Sequence, residues 1–369
     1  MRYARSAASS DYNCRLPSNP TSEAPVSETC RDDPRLDRLR LWLEHGLGWR
    51  DAGLAPASAD ASFRRYFRVT HGGETCIAMD APPDREDVEP YLRVAAMLRD
   101  TGVNAPRVVA RNADEGFLLL TDLGSITYLA ELADRSRADV LYADAVRALV
   151  RIQDGGRSHA AGLPPYDEKL LRFEMSLFTD WLLGRHLGLE LTAAESAALC
   201  RILDRLVANA LEQPRVFVHR DYHSRNLMVC PDANPGILDF QDAVHGPLTY
   251  DLVSLLRDCY VSWPQSKVLE WARSFLEQAR VADVVHGVDE ATFLRWFDLM
   301  GVQRHLKASG IFARLWHRDG KPGYLPDVPR TLGYVVEACA RHDELHPLGE
   351  LVGERVLPAV RASLGTASA

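Results

Sequence analysis

The sequence predicts an α+β fold of two lobes, a small mixed sheet lobe followed by a larger, mainly helical lobe. Three patterns predict it. Residues 63–79 alternate as strands do, the chain after about Ser125 is mostly helical in spacing, and short apolar runs ending in aspartate interrupt that helical half. The 369 residues are about two domains' worth, and a hydrophobic content of 46 % is enough for a sizeable core. The expected boundaries are a leader over 1–33, a small lobe over 34–122, and a large lobe over 123–369.

The first 33 residues are rich in Ser, Pro, Asn and charge and show no periodicity, which reads as a disordered leader or an overlong translation start. From Pro34, a residue suited to a helix's first turn, Leu36, Leu39, Trp42, Leu43 and Leu47 recur at helical spacing until Gly46 and Gly48 interrupt. That helix is expected to pack on the small lobe. Phe63 to Val69 then alternates, and His71-Gly72-Gly73 turns it into a second strand over Thr75 to Met79. Glu86 and Glu89 open a helix running to Arg99, with Val88, Tyr91, Leu92, Ala95 and Leu98 as its buried face. Phe117 to Leu120 is an apolar strand that breaks at Thr121-Asp122-Leu123-Gly124 into a polar turn.

The chemistry is carried by a stretch farther on. Residues 218–227 read V-H-R-D-Y-H-S-R-N-L, and a second aspartate opens the Asp239-Phe240 step eighteen residues after Asp221. Phosphoryl transfer needs a carboxylate to accept the proton of the attacking hydroxyl, and oxygen ligands to hold magnesium against the nucleotide phosphates. Asp221 supplies the first, and Asn226 and Asp239 the second. Asp and Asn are also ordinary turn residues. Here, however, the apolar runs at 215–218, 227–230 and 236–238 set both acids at strand ends, where a cleft can form.

Residues 218–226, Asp239-Phe240-Gln241-Asp242 and the later Tyr250-Asp251-Leu252 together resemble the aminoglycoside phosphotransferase superfamily, whose fold is protein-kinase-like and bilobal. Within it the chain looks most like the anomeric N-acetylmuramate/N-acetylglucosamine kinases of bacterial cell-wall recycling. That narrower resemblance rests on 59–69, 77–83 and 303–315, and the likeness runs from about Leu36 to the end. It implies ATP and Mg²⁺, an amino-sugar substrate phosphorylated on its C1 hydroxyl, a cytoplasmic location, and delivery of the sugar 1-phosphate to a nucleotidyltransferase in peptidoglycan recycling.

The resemblance also assigns residues. Ser62 stands in the loop that would approach the phosphates, although that loop, 58–62, has no glycine. Where protein kinases carry a strand lysine, Ile77-Ala78-Met79-Asp80 ends in aspartate, and no lysine precedes Lys169. A phosphate-holding cation would therefore be an arginine. Of Arg64, Arg65 and Arg68, the last two are taken as nucleotide contacts, with solvated strand arginines as the bland alternative. Leu120 and Leu123 are expected against adenine. His223, Arg304, His305 and Lys307 are expected on the sugar, the last three meeting the lactyl carboxylate or hydroxyls or else forming a solvated basic helix face. His219 reads as a packed structural residue, Arg220 as orienting Asp221 or pairing with a surface acid, and Asp251 as a helix cap that braces the loop.

Composition narrows the classes further. A formal charge of −8 and a pI near 5.9 argue against nucleic acid as a partner. Seven scattered cysteines without a C-x-x-C pair indicate neither a disulfide framework nor a zinc site. No run approaches the roughly 20 apolar residues needed to cross a bilayer. Kinases of aminoglycosides, choline, homoserine or fructosamine remain compatible with the core, as does a nucleotide-binding scaffold without transfer activity. A protein kinase fits less well, since an A-P-E segment and the strand lysine are both missing.

Overall fold

A computed structural model of the chain describes residues 33–59 and 63–366. The described residues fall into two compact units, 33–51 and 52–366. In the first, the side chain of Asp33 accepts from the backbone N–H groups of Arg35 and Leu36, both at 3.1 Å, and starts the helix Pro34–Leu41. Proline at the first helical position costs nothing there, because its missing N–H would have had no partner. The helix widens into a π-turn, Trp42–Gly46.

The second unit opens with five antiparallel strands: β1 Gly53–Ala59, β2 Arg65–His71, β3 Glu74–Asp80, β4 Val108–Asn112 and β5 Phe117–Thr121. Their order across the sheet is β1-β2-β3-β5-β4. The β2–β3 hairpin is the one expected from the alternation, closed by Gly72 and Gly73 with φ of 59° and 83°. Strand β1 was not anticipated, because Gly53, Pro56 and the alanines have poor strand propensity. It is tolerated as an edge strand, where Pro56 needs no second partner and the register shifts beside it. The helix Glu89–Asp100 buries Tyr91, Val94, Ala95 and Leu98 in the same core as Met79, Leu118 and Leu120, much as its spacing predicted.

From Thr121 the chain passes through Asp122–Ser125 into the helical lobe. There two short ribbons stand out from the helices: β6 Arg215–Val218 pairs with β9 Val244–Pro247, and β7 Leu227–Met228 with β8 Gly236–Ile237. The α+β, protein-kinase-like two-lobed expectation is met, and one hydrophobic core runs from Met79 to Val360 through both lobes.

The lobe is organised by one 30-residue helix, Glu290–Asp319, roughly 45 Å long at 1.5 Å per residue. Asp289 caps its start by accepting from Thr292 N at 2.7 Å, and Gly320 ends it with a left-handed φ of 65°. Most of its faces are buried, including Gln303, Arg304, His305 and Lys307. At Gly310 the backbone of Leu177 and Phe178 packs directly on it, so close that a Cβ would sit 2.6 Å from Phe178 N and nearer still to the Leu177 carbonyl. Alanine there would gain about 1 kcal/mol of helix propensity but must displace backbone, not a flexible side chain. Gly310→Ala is expected to lose about 1–3 kcal/mol net in urea unfolding. A variant as stable as the wild type would show that the crossing is not tight.

Candidate active site

Strand β6 delivers the chain at Val218 into a turn that two backbone donors hold open. His219 N and Arg220 N donate to the two oxygens of buried Asp251, at 2.6 and 2.9 Å. Arg220 takes a left-handed φ of 77°, a conformation that a non-glycine residue keeps only when its surroundings fix it. Asp251 therefore braces the loop as expected, but it does not cap the helix Tyr250–Leu256: it lies within the first turn, and its oxygens are spent on the loop. Burial pushes its carboxyl up to about 7, despite those two N–H donors. At the far end of the loop Asp258 accepts from Ser224 N and Tyr260 N, each at 2.9 Å.

Between these braces Asp221 lines the cleft, and its carboxylate has no direct hydrogen bond among the described residues. His219 sits beneath it, fully buried, with Nδ1 3.3 Å from Asp221 N. Burial lowers its imidazole to about 4, so it is neutral and structural, in keeping with its sequence reading. For Asp221 burial alone would raise the pKa, but Lys307, His223, Arg220 and Arg304 outweigh it and hold the carboxyl below the ordinary aspartate value.

Two of those cations, Arg220 and Lys307, are themselves held by one acid. Glu174, 2 % exposed, pairs with Arg220, with Lys307 Nζ at 2.9 Å, and with the Tyr166 hydroxyl. Lys307 also donates to the Tyr250 hydroxyl at 2.8 Å. Arg220 thus pairs with a buried acid, not the surface one considered from sequence.

Asn226 and Asp239 come together across β7 and β8. Asn226 Nδ2 donates to the Asp221 carbonyl at 3.1 Å and lies 3.3 Å from Asp239 Oδ2, while Leu238 N donates to the Asn226 carbonyl at 2.9 Å. With Nδ2 engaged, Asn226 Oδ1 is the atom left for a cation. Asp239 has a left-handed φ of 61° and accepts from Gln241 Nε2 at 2.8 Å. One amide oxygen and one carboxylate suit magnesium, which prefers hard oxygens and keeps part of its shell for water and phosphate. No cluster of three or more His, Cys, Asp or Glu among the described residues could hold a metal alone. The donor set thus fits an ion shared with a nucleotide.

The cleft these residues line has a volume of about 810 Å³. One half is an apolar slot of Tyr66, Ile77, Leu120, Leu123, Met228 and Leu238, with Arg64 and Arg68 at its edge. Leu120 and Leu123, expected against adenine, both line the cleft. Arg68 lines the slot but is engaged, donating to Asp122 Oδ2 at 2.6 Å and to the Gly124 carbonyl at 2.8 Å. Arg65 does not line it: the guanidinium turns to buried Asp80, at 3.0 Å from Nε, because the aspartate in place of the strand lysine needs a counter-charge. Arg64, passed over at first, does line it and lies 3.6 Å from Glu86. Ser62 lies outside the described residues.

The other half contains Asp221, His223, Arg225, Tyr260, Arg304, Lys307 and Phe312, with Arg314, Arg318 and Tyr324 beyond. His223 Nδ1 is buried without a partner, and its ring meets Tyr260 edge-on at 5.4 Å. Arg304 and Lys307 line the cleft; His305 does not. It points a different way round the helix, fully buried, with Nε2 2.8 Å from the Arg257 carbonyl and its ring stacked on Tyr334 at 4.9 Å. The i, i+3, i+4 rule from Arg304 would have excluded it and found Arg314 and Arg318. Glu174 and Asp258 carry no local signal, since they reach the loop from distant elements.

Comparison with known proteins agrees with this geometry. Residues 53–290 match the phosphotransferase enzyme family. The chain is 50 % identical over 332 residues to an N-acetylmuramate/N-acetylglucosamine kinase of Pseudomonas aeruginosa, covering 87 % of this chain and 97 % of that one. It is 48 % identical to a protein of the same description from Pseudomonas putida, over 87 % of this chain and 97 % of that one. Among solved structures, ADP-bound aminoglycoside phosphotransferase APH(2'')-Ib superposes with a TM-score of 0.54 at 15 % identity, over 82 % of this chain and 97 % of the other, a likeness of fold.

Removing the Asp251 carboxylate should orphan two buried N–H groups. Asp251→Ala is expected to cost about 2–4 kcal/mol in thermal or urea unfolding. Asp251→Asn, which keeps one acceptor, should cost less. Equal, negligible losses would show that the loop is braced elsewhere.

Proposed function

The chain belongs to the phosphotransferase enzyme family, and from that premise we infer that it is a sugar kinase moving the γ-phosphoryl group of ATP onto the C1 hydroxyl of N-acetylmuramate and N-acetylglucosamine. The observation that supports this acceptor class best is the charge of the acceptor half of the cleft. That half is lined by Arg225, Arg304, Lys307, Arg314 and Arg318, a field that repels polycationic drugs or choline and suits a sugar carrying a carboxylate.

In this reading the sugar hydroxyl sits within hydrogen-bond reach of Asp221. Its proton passes to the carboxylate as the oxygen–phosphorus bond forms and ADP leaves. Lys307 and Arg304 keep Asp221 ionised beforehand, while Arg220 holds the loop against Glu174. Adenine occupies the apolar slot against Leu120 and Leu123, and Arg64 and Arg68 face the phosphates in place of the missing lysine. A magnesium ion held by Asn226 and Asp239 would offset phosphate charge. His223, on the Tyr260 side, meets the sugar. The reading places the reaction in the cytoplasm, and its product would pass to a nucleotidyltransferase in peptidoglycan recycling. Among the described residues, no helix is long and apolar enough to cross a membrane.

The direct test is ADP release with Mg-ATP against N-acetylmuramate, N-acetylglucosamine, kanamycin and choline, with ³¹P NMR of the product. A sugar 1-phosphate is expected; ADP release with kanamycin alone would overturn the substrate class. Asp221→Asn should abolish turnover yet bind Mg-nucleotide as the wild type does, and near-normal rates would remove Asp221 from its role. The acidic limb of kcat/KM, measured with the neutral sugar so that no substrate carboxylate titrates, should lie below the ordinary aspartate range. Because the cation favours the ionised form, Lys307→Met should raise the Asp221 pKa and move that limb to higher pH. An unmoved limb would show that Lys307 does not tune the base.

A further inference from the structure

We propose that Arg314 reads the carboxylate that distinguishes N-acetylmuramate from N-acetylglucosamine, an inference that rests on the sugar-kinase reading above. Most arginines of the cleft are already occupied. Arg64 faces Glu86, Arg68 is bonded to Asp122, and Arg318 is bonded to Asp319 at 2.8 and 2.9 Å. Arg225, at an exposed position, lies 3.8 Å over the Tyr260 ring and 5.5 Å from that of Tyr324. Two arginines away from solvent have no acid partner among the described residues: Arg304, whose only hydrogen bond is to Cys259 Sγ at 3.8 Å and which acts on Asp221 at the inner end, and Arg314 farther out. Arg314 is half-buried, has no hydrogen bond or ion pair among the described residues, and its Nε is shut off from solvent without a partner. Burial and the neighbouring Arg318 both push its pKa down. A guanidinium desolvated beside a like charge is costly unless an anion joins it; the nearest protein acid, Asp319, acts on Arg314 only through space and spends both carboxylate oxygens on Arg318.

Its place along the helix decides which anion. Arg304, Lys307, Ile311, Arg314 and Arg318 recur on the face that lines the cleft. Buried Lys307 acts most strongly of the cations on Asp221, whereas Arg318 is exposed, so the helix runs from the base toward the mouth. Arg314 lies two turns past Lys307, about 10 Å along the axis at 1.5 Å per residue. With the C1 hydroxyl at Asp221, the inner cations face C1 and C2, which the two sugars share. The lactyl ether of N-acetylmuramate leaves C3, two carbons round the ring from C1, and its carboxylate extends beyond the ring, away from the base and toward the outer turn. Only a cation out there can tell the sugars apart, and a guanidinium meets a carboxylate with two parallel donors.

The test compares both sugars as acceptors for wild type, Arg314→Met and Arg314→Lys, with N-acetylmuramate methyl ester as a neutral control. For Arg314→Met, kcat/KM for N-acetylmuramate should fall roughly tenfold or more, through KM, as befits one lost charge-assisted pair. N-acetylglucosamine and ATP should change no more than about twofold, and Arg314→Lys should recover part of the loss. Wild-type enzyme should treat the methyl ester like N-acetylglucosamine, a measurement that stands even if a variant fails to fold. Equal losses on both sugars, a raised KM for ATP, or an ester used as well as the free acid would overturn the assignment while leaving the kinase reading intact. Wild-type enzyme that phosphorylates neither sugar would overturn both.

Discussion

Two carboxylates at either end of one short helix hold the catalytic loop, and the rest of the site depends on that grip. Asp251 takes the N–H groups of His219 and Arg220, and Asp258 takes those of Ser224 and Tyr260. The first brace keeps Arg220 in a left-handed conformation that a free chain would leave, and that conformation turns Asp221 into the cleft. The same loop carries Asn226, whose amide then reaches Asp239 across the β7–β8 ribbon. Asp221 and the oxygens of Asn226 and Asp239 thus share one frame, so in the proposed mechanism chemistry and positioning fail together if either brace is lost.

Charge is the second organising element. Asp80, Glu174 and Asp298 are buried acids, and each is matched by basic groups: Arg65 for the first, Arg220 and Lys307 for the second, and Arg257, Arg341 and His342 for the third. A buried ion without a partner costs several kcal/mol, so these sets are satisfied internally. Glu174 has a double effect. It fixes Lys307 where that cation favours the ionised form of Asp221, and it neutralises part of the lysine's charge toward the cleft. The strand aspartate works the same way in the small lobe, where Asp80 claims Arg65 and leaves Arg64 and Arg68 facing the slot.

Much of the fold was legible because its signals are local. The hairpin announced itself by alternation and two glycines, the helix Glu89–Asp100 by its apolar stripe, and the paired loops by aspartates at strand ends. Strand β1 was missed because its residues disfavour strands and it forms only by pairing at a sheet edge. His305 was misplaced because adjacency in sequence was taken for adjacency in the cleft, whereas a helix turns consecutive residues about 100° apart.

The sequence by itself determined the reaction class and pointed to the three residues of the proposed mechanism, Asp221, Asn226 and Asp239, since proton acceptance and hard-oxygen ligation call for such side chains at such a spacing. It also determined that no lysine could serve on the third strand. Only the tertiary structure decided which arginines line the cleft, which acids brace the loop, and which cations are held by protein acids. Those outcomes depend on pairings between residues tens to more than a hundred positions apart, such as Glu174 with Lys307, and a charge's partner is set by burial and distance that no local pattern encodes.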